Sequence, residues 1–174
     1  MKSVRWVLAA IVAGLLMVSG CSIPGANVAA TVNGVDIPGS QIEGAVAAIG
    51  SSPGQLAEPH AIVLTWAIRG EVARTIAAEQ NIQLTGEPRT TLMHSNPNLE
   101  QYAKTPGAAD FVNDLIDATL VVNKVGEPAF VVKLAETQVQ VNPRFGAWSA
   151  QTASVDQTGG QLSQPWTVPS NQPR

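Results

Sequence analysis

The feature that most constrains this chain is its start, where a charged stub and an apolar run lead to the only cysteine among 174 residues. Lys2 and Arg5 are positive, residues 6–18 carry no charge, and Val18, Ser19 and Gly20 supply the small residues that precede a secretory cleavage site. The apolar run is about 13 residues long, against about 20 for a membrane-spanning helix, and no second run follows it. A retained transmembrane helix is therefore not expected. A lone thiol closes no internal disulfide, so whatever follows Cys21 has to be held together by an ordinary hydrophobic core.

Val18-Ser19-Gly20-Cys21 resembles the bacterial lipoprotein signal, in which an aliphatic residue, two small residues and a cysteine are read together. The resemblance implies cleavage between Gly20 and Cys21 and a diacylglyceryl group, with acyl chains of the palmitate type, on the Cys21 sulfur. Two such chains, at about 0.8 kcal/mol per buried CH₂, hold a protein at a bilayer where one myristoyl chain binds only marginally. An ordinary signal peptide followed by an unrelated cysteine is the weaker reading. The expected location is the extracytoplasmic face of the cell membrane, reached through the lipid anchor.

Cleavage removes two positive charges from a chain of net charge −3, leaving a mildly acidic protein without basic runs. Nucleic acid and anionic lipid surfaces are thus not expected as partners. Residues 21–27 are small, polar and Pro/Gly-containing, as in a flexible tether. Residues 149–174 are dominated by Gln, Ser, Thr, Gly and Pro and are expected to form a disordered polar tail, because they bury too little surface to offset their ordering entropy. One folded domain is expected between them, over residues 28–148. With aromatics at 5% and many alanines, valines and glycines, its helices should pack through small residues.

The expected fold class is mostly α with a small β element. Val28, Ala30 and Val32 alternate with smaller or polar neighbours, and Asn33-Gly34 suits the positive φ values of a tight hairpin turn. Ser40 and Glu43 have capping-box spacing, and Ile42, Ala45, Val46 and Ile49 share one face of the helix that would follow, ended by the Gly/Ser/Pro run at 50–54. A second helix is predicted over residues 58–80, with Pro59 in its first turn, an i, i+4 ridge of Leu64, Ile68, Val72 and Ile76, and Gly70 as a local weakness. Trp66 lies beside that ridge, with the core as its stronger expected environment and a groove wall as the alternative. Periodicity fades from 85 to 106, with a short helix near 99–103.

The pattern resumes over 108–125, with Phe111, Leu115, Ile116 and Leu120 expected inward. Asp110, Asp114 and Asp117 recur at helical spacing, which reads as a solvated face without chemistry. A shorter helix from Glu127 takes in Phe130, Val131 and Leu134, and Val139 and Val141 alternate as a closing strand would.

The opening stretch VAATVNGVDIPGSQIE, with Asn33, Gly34 and Ile37 ahead of a helix start, resembles the SurA N-terminal-like domain of extracytoplasmic chaperones and foldases. VQVNPRFGAW, residues 139–148, is similar to the closing strand of small actinobacterial lipoprotein members. The resemblance implies a domain that cradles unfolded or extended polypeptide, with Trp66 and Phe111 as candidate peptide-binding residues. It does not extend to catalysis: larger members carry a parvulin prolyl isomerase domain of about 90 residues, and residues 40–138 read as helices and connectors. Pro143, Arg144, Phe145, Gly146 and Trp148 are read as structural closure, with Arg144 pairing to an acid, in preference to a recognition surface.

Enzymatic signatures are missing. His60 and His94 have no neighbouring cluster at metal spacing, and there is no SxxK, GxxxxGK[ST] or GxGxxG stretch, so neither metal nor cofactor is expected. The expected function is non-catalytic binding of unfolded or extended polypeptides by a lipid-anchored protein. The alternative is an adaptor presenting one surface to a fixed envelope partner.

Overall fold

The computed structural model describes residues 25–49 and 58–156. The expected cleavage site, the lipidated Cys21, most of the tether, the helix-ending run at 50–54 and residues 157–174 lie outside them.

β1 (Val28–Val32) and β2 (Val35–Pro38) form an antiparallel hairpin around Asn33 and Gly34, whose φ values of 49° and 85° are both left-handed. A two-residue turn of this kind demands positive φ twice, and asparagine and glycine adopt it at least cost. β3 (Val139–Val141) pairs antiparallel with the other edge of β1, giving the order β2-β1-β3. Asn33 fixes that return: its N–H donates to the Gln138 carbonyl at 2.9 Å, and its Oδ1 accepts the Gln138 N–H at 3.1 Å. The turn and the closing strand are thus tied at one residue.

α1 (Gly39–Ile49) begins one residue ahead of the expected serine cap. The Glu43 carboxylate lies 3.1 Å from His60 Nε2 and 3.9 Å from Arg144 Nη2, tying α1 to the next helix and to the closing segment. α2 (Pro59–Gln80) is the centre of the molecule, touching α1, β1 and three later elements. Its predicted ridge of Leu64, Ile68, Val72 and Ile76 is fully buried, each side chain contributing about 1.5–3 kcal/mol by leaving water. Ala61, Ala67, Ala73 and Ala77 fill the spaces between, so neighbouring helices come close. The helix ends at Asn81, left-handed at φ 54°, whose N–H closes on the Ala77 carbonyl.

Two short helices occupy the connector, α3 (Glu87–Ser95) and α4 (Pro97–Ala103). The second lies close to the expected position; the first was not legible, because it buries no residue and so leaves no apolar period. Pro88 and Pro97 sit in the first turns, and Asn96 caps α4 by accepting the Asn98 N–H on Oδ1 at 3.1 Å.

α5 (Ala109–Val125) packs along α2, and α6 (Glu127–Glu136) covers the remaining flank with Phe130 and Leu134. Here the sequence reading needs correction. The buried stripe of α5 is Val112, Asp114, Ile116, Asp117, Ala118 and Val121, whereas Phe111, Leu115 and Leu120 are only half-buried. Only Asp110 of the three aspartates is exposed. The helix turns Asp114 and Asp117 inward because arginines wait for them there.

A second correction concerns the domain boundary. The folded unit runs past Trp148: β4 (Ala147–Ser149) pairs antiparallel with β5 (Ser154–Asp156), and β5 packs on α2. Ala153 and Val155 are buried, so this part of the expected disordered tail has enough apolar anchorage to order. The architecture is mostly helical, with a three-stranded and a two-stranded antiparallel sheet.

Candidate functional site

The closing segment is built around a residue the sequence did not single out. Asn142 is buried; its N–H donates to the Ala29 carbonyl at 2.8 Å and its side-chain amide to the Val28 carbonyl at 3.0 Å, while its Oδ1 accepts the Arg144 N–H at 3.1 Å. These bonds carry the chain from β3 into the turn at exposed Pro143. Phe145 is buried near Gly39 and His60, and Gly146, at φ 125°, lies so close to β5 that a Cβ would stand 2.6 Å from the Asp156 carbonyl oxygen. Arg144 is exposed, its guanidinium stacked 5.3 Å from the Phe145 ring, within 3.3 Å of the Ala26 carbonyl and at 3.9 Å from Glu43. Trp148 packs half-buried against the core. These contacts are those of closure.

Beside β5 lies a cleft of about 440 Å³. One wall is the outer face of α2, where Ala61, Ile62, Thr65, Trp66 and Arg69 follow the helical i, i+3, i+4 rhythm from Glu58 at the helix start; the other is residues 152–155. The wall from Glu58 to Arg69 is about 16 Å long, at 1.5 Å per residue. That length accepts about five residues of extended chain. Thr65 Oγ1 accepts the Val155 N–H at 2.9 Å, which fixes the strand against the helix.

Trp66 is half-buried at the edge of the core and forms part of the cleft wall, so both environments weighed for it are partly realised. Arg69 holds the ring in place: its guanidinium carbon lies 5.3 Å from the Trp66 ring centroid and 5.1 Å from that of Phe130, and Nη2 donates to Glu127 Oε1 at 3.1 Å. A cation gripped between two aromatic faces and a carboxylate is worth more than an exposed ion pair. Phe111 lies in the first turn of α5, packed against the core, and is not part of this wall. The two candidate peptide-binding residues are therefore not brought together. A larger, shallower hollow of about 530 Å³ lies between α3 and α5, lined by Pro88, Leu92 and Leu120 among polar neighbours.

Behind the cleft, α2 and α5 share a half-buried charge cluster in which the two aspartates of α5 are buried. Arg74 Nη1 donates to Asp114 Oδ1 at 2.8 Å and to Asp117 Oδ2 at 3.3 Å, and its Nη2 to Glu71 Oε2 at 2.9 Å. Arg89, at the start of α3, donates to Asp117 Oδ1 at 2.6 Å, and Gln41 of α1 donates to Asp114 Oδ2 at 3.2 Å. Three carboxylates thus share two guanidiniums. The most buried of them, Asp114 at 3% exposure, is pushed up to about 7: desolvation outweighs the hydrogen bond and charge of Arg74, and the negative charges of Asp117 and Asp110 add to it. For Arg74, burial works against the charge, but Asp114 and Glu71 outweigh it and push the guanidinium further up. The cluster welds four helices into the platform on which the α2 face of the cleft rests.

Among the described residues, no three His, Cys, Asp or Glu side chains group as a metal site, and no helix is long and apolar enough to cross a membrane. Sequence reasoning missed Arg69, Thr65 and the strand wall at 152–155. The α2 rhythm contained a signal for the first two, since 58, 62, 65 and 69 follow the i, i+3, i+4 spacing along a stripe that flanks the buried ridge. No family model matches the chain, and no curated protein or solved structure is significantly similar to it.

Proposed function

We propose that this chain is a lipid-anchored extracytoplasmic protein of SurA N-terminal-like type that binds extended or unfolded polypeptide without chemical turnover. The observation that carries the reading is the cleft between α2 and β5, walled by Ile62, Trp66, Ala153 and Val155 and bordered by Glu58 and Arg69. A strand-length slot with an aromatic anchor inside and opposite charges at its rim suits apolar side chains on an extended backbone. The amino-terminal hairpin closed by a distant strand is compatible with the family resemblance of residues 28–43 and 139–148.

The test is a peptide array and an aggregation-suppression assay on the mature chain, kept soluble by Cys21→Ser. Many unrelated apolar and aromatic peptides should bind, and Trp66→Ala should weaken them about tenfold or more, as truncation of a central aromatic anchor does. Far-UV circular dichroism checks that the variant is folded. Capture of a single envelope protein with no peptide binding would favour the adaptor; no binding at all by a folded chain would remove the chaperone reading.

The anchor has its own test. Produced in a bacterium that lipidates such signals, the wild-type protein should enter the detergent phase of a phase separation, and Cys21→Ser should stay in the aqueous phase. A wild-type protein found wholly in the aqueous phase would sink the anchor.

A further inference from the structure

The cleft's second wall is also where the chain leaves the described fold. β5 ends at Asp156, and residues 157–174 continue from it. In that stretch Gly159-Gly160 comes four residues after Val155, and such a pair readily reverses an extended chain. Beyond it lie Leu162, Trp166 and Val168, separated by polar residues and Pro165. Proline at 165 and 169 favours extended backbone, the shape that a strand-length slot accepts.

We propose that residues 164–168 of this chain dock in the cleft between α2 and β5, with Trp166 against Ile62 and Trp66, so that an outside polypeptide binds by displacing them. The inference rests on the reading of that cleft as a polypeptide site. Reach is not limiting. Asp156 adjoins the cleft, and ten residues of extended chain cover about 33 Å, roughly twice the length of the α2 wall. Nor is affinity, since a short tether holds the segment at about millimolar effective concentration and even weak intrinsic contacts then give substantial occupancy. Trp166 and Val168 are the large apolar side chains of that segment, and an adjoining apolar wall would take them out of water.

The experiment uses the full mature chain carrying Cys21→Ser. Thr167 is replaced by a photo-crosslinking phenylalanine, and the crosslinks are mapped by mass spectrometry over a range of protein concentrations. They are expected on α2 or β5 within the same molecule, independent of concentration. In parallel, a labelled synthetic peptide of residues 157–174 is titrated onto the wild-type chain and onto Trp166→Ala, a substitution outside the cleft walls. Affinity should rise about tenfold in the variant, because its own segment no longer competes. Crosslinks elsewhere, or equal affinity in the two proteins, would overturn the proposal. Should position 167 crosslink to the cleft while unrelated peptides bind neither protein, the segment docks and the general polypeptide-binding reading fails. Should unrelated peptides bind both proteins equally while the crosslinks map elsewhere, the binding reading stands and the docking does not.

Discussion

Gly70→Ala is expected to destabilise the protein by about 3 kcal/mol or more, although at an exposed helical position the same change stabilises by about 1 kcal/mol. A Cβ on Gly70 would stand 2.6 Å from Asp114 Cβ and Oδ1 and 2.8 Å from Asp114 Cα. Two of those atoms belong to the framework of α5, so no rotamer change relieves the clash and the helices have to separate. Separation stretches the 2.8 Å contact between Arg74 and Asp114 and opens gaps along the alanine-filled face of α2. Overpacking alone costs about 1–3 kcal/mol, and a disturbed buried ion pair adds to that. Against a total stability of about 5–15 kcal/mol the change is large. The urea midpoint measures it, with Ala78→Gly on the exposed side of α2 as a control losing about 1 kcal/mol. An unchanged midpoint for Gly70→Ala would mean that α2 and α5 cross with room to spare.

Gly70 also shows where sequence reading stops. Local periodicity was enough for the α2 ridge, because Leu64, Ile68, Val72 and Ile76 repeat at the helical interval, and turn chemistry was enough for Asn33-Gly34. Both signals are contained in a few adjacent residues. Asp114 and Asp117 gave the opposite impression, since an acid at helical spacing reads as solvated unless its partner is known, and Arg74 and Arg89 are distant in the chain. The available hint is joint: a glycine that admits a second helix, followed one turn later by an arginine able to meet what that helix brings. Phe111 and Leu115 drew the reading of α5 toward the larger side chains, and so away from the stripe centred on Asp114. In the cleft, Trp66 was legible and its opposite wall was not. Ala153 and Val155 are two small apolar residues in a polar stretch, and only pairing with β4 and packing on α2 make them a strand.

Arg74→Met should cost about 3–5 kcal/mol at pH 8, because it leaves Asp114 buried without its main cation while Glu71 and Asp117 stay close by. The loss should shrink in acid, and the sign follows from Asp114. The groups facing it are Gln41 from α1, Glu71 and Arg74 from α2, and Asp110 and Asp117 from α5, with Arg89 from α3 reaching it through Asp117. Burial, which outweighs the hydrogen bond and charge of Arg74 and is reinforced by Asp117 and Asp110, pushes its folded pKa up to about 7, above the ordinary 3.8 of an aspartate. Between those two values the folded protein holds a proton that the unfolded chain has released. The contribution of Asp114 to stability is therefore fully present below about pH 4, falls as pH rises toward 7, and is flat above. Removing Arg74 removes the one nearby charge that favours the carboxylate, so the falling window should extend past pH 7. Asp114→Asn carries no such proton and should flatten the slope in an otherwise wild-type chain. In the double variant, Arg74→Met with Asp114→Asn, the neutral amide no longer needs a cation, and part of the loss at pH 8 should return. Urea midpoints for the four proteins at pH 5, 6, 7 and 8 decide the matter. A constant penalty for Arg74→Met across that range, with no recovery in the double variant, would show that the arginine stabilises α2 by its packing and that the charge of Asp114 is not what it holds in place.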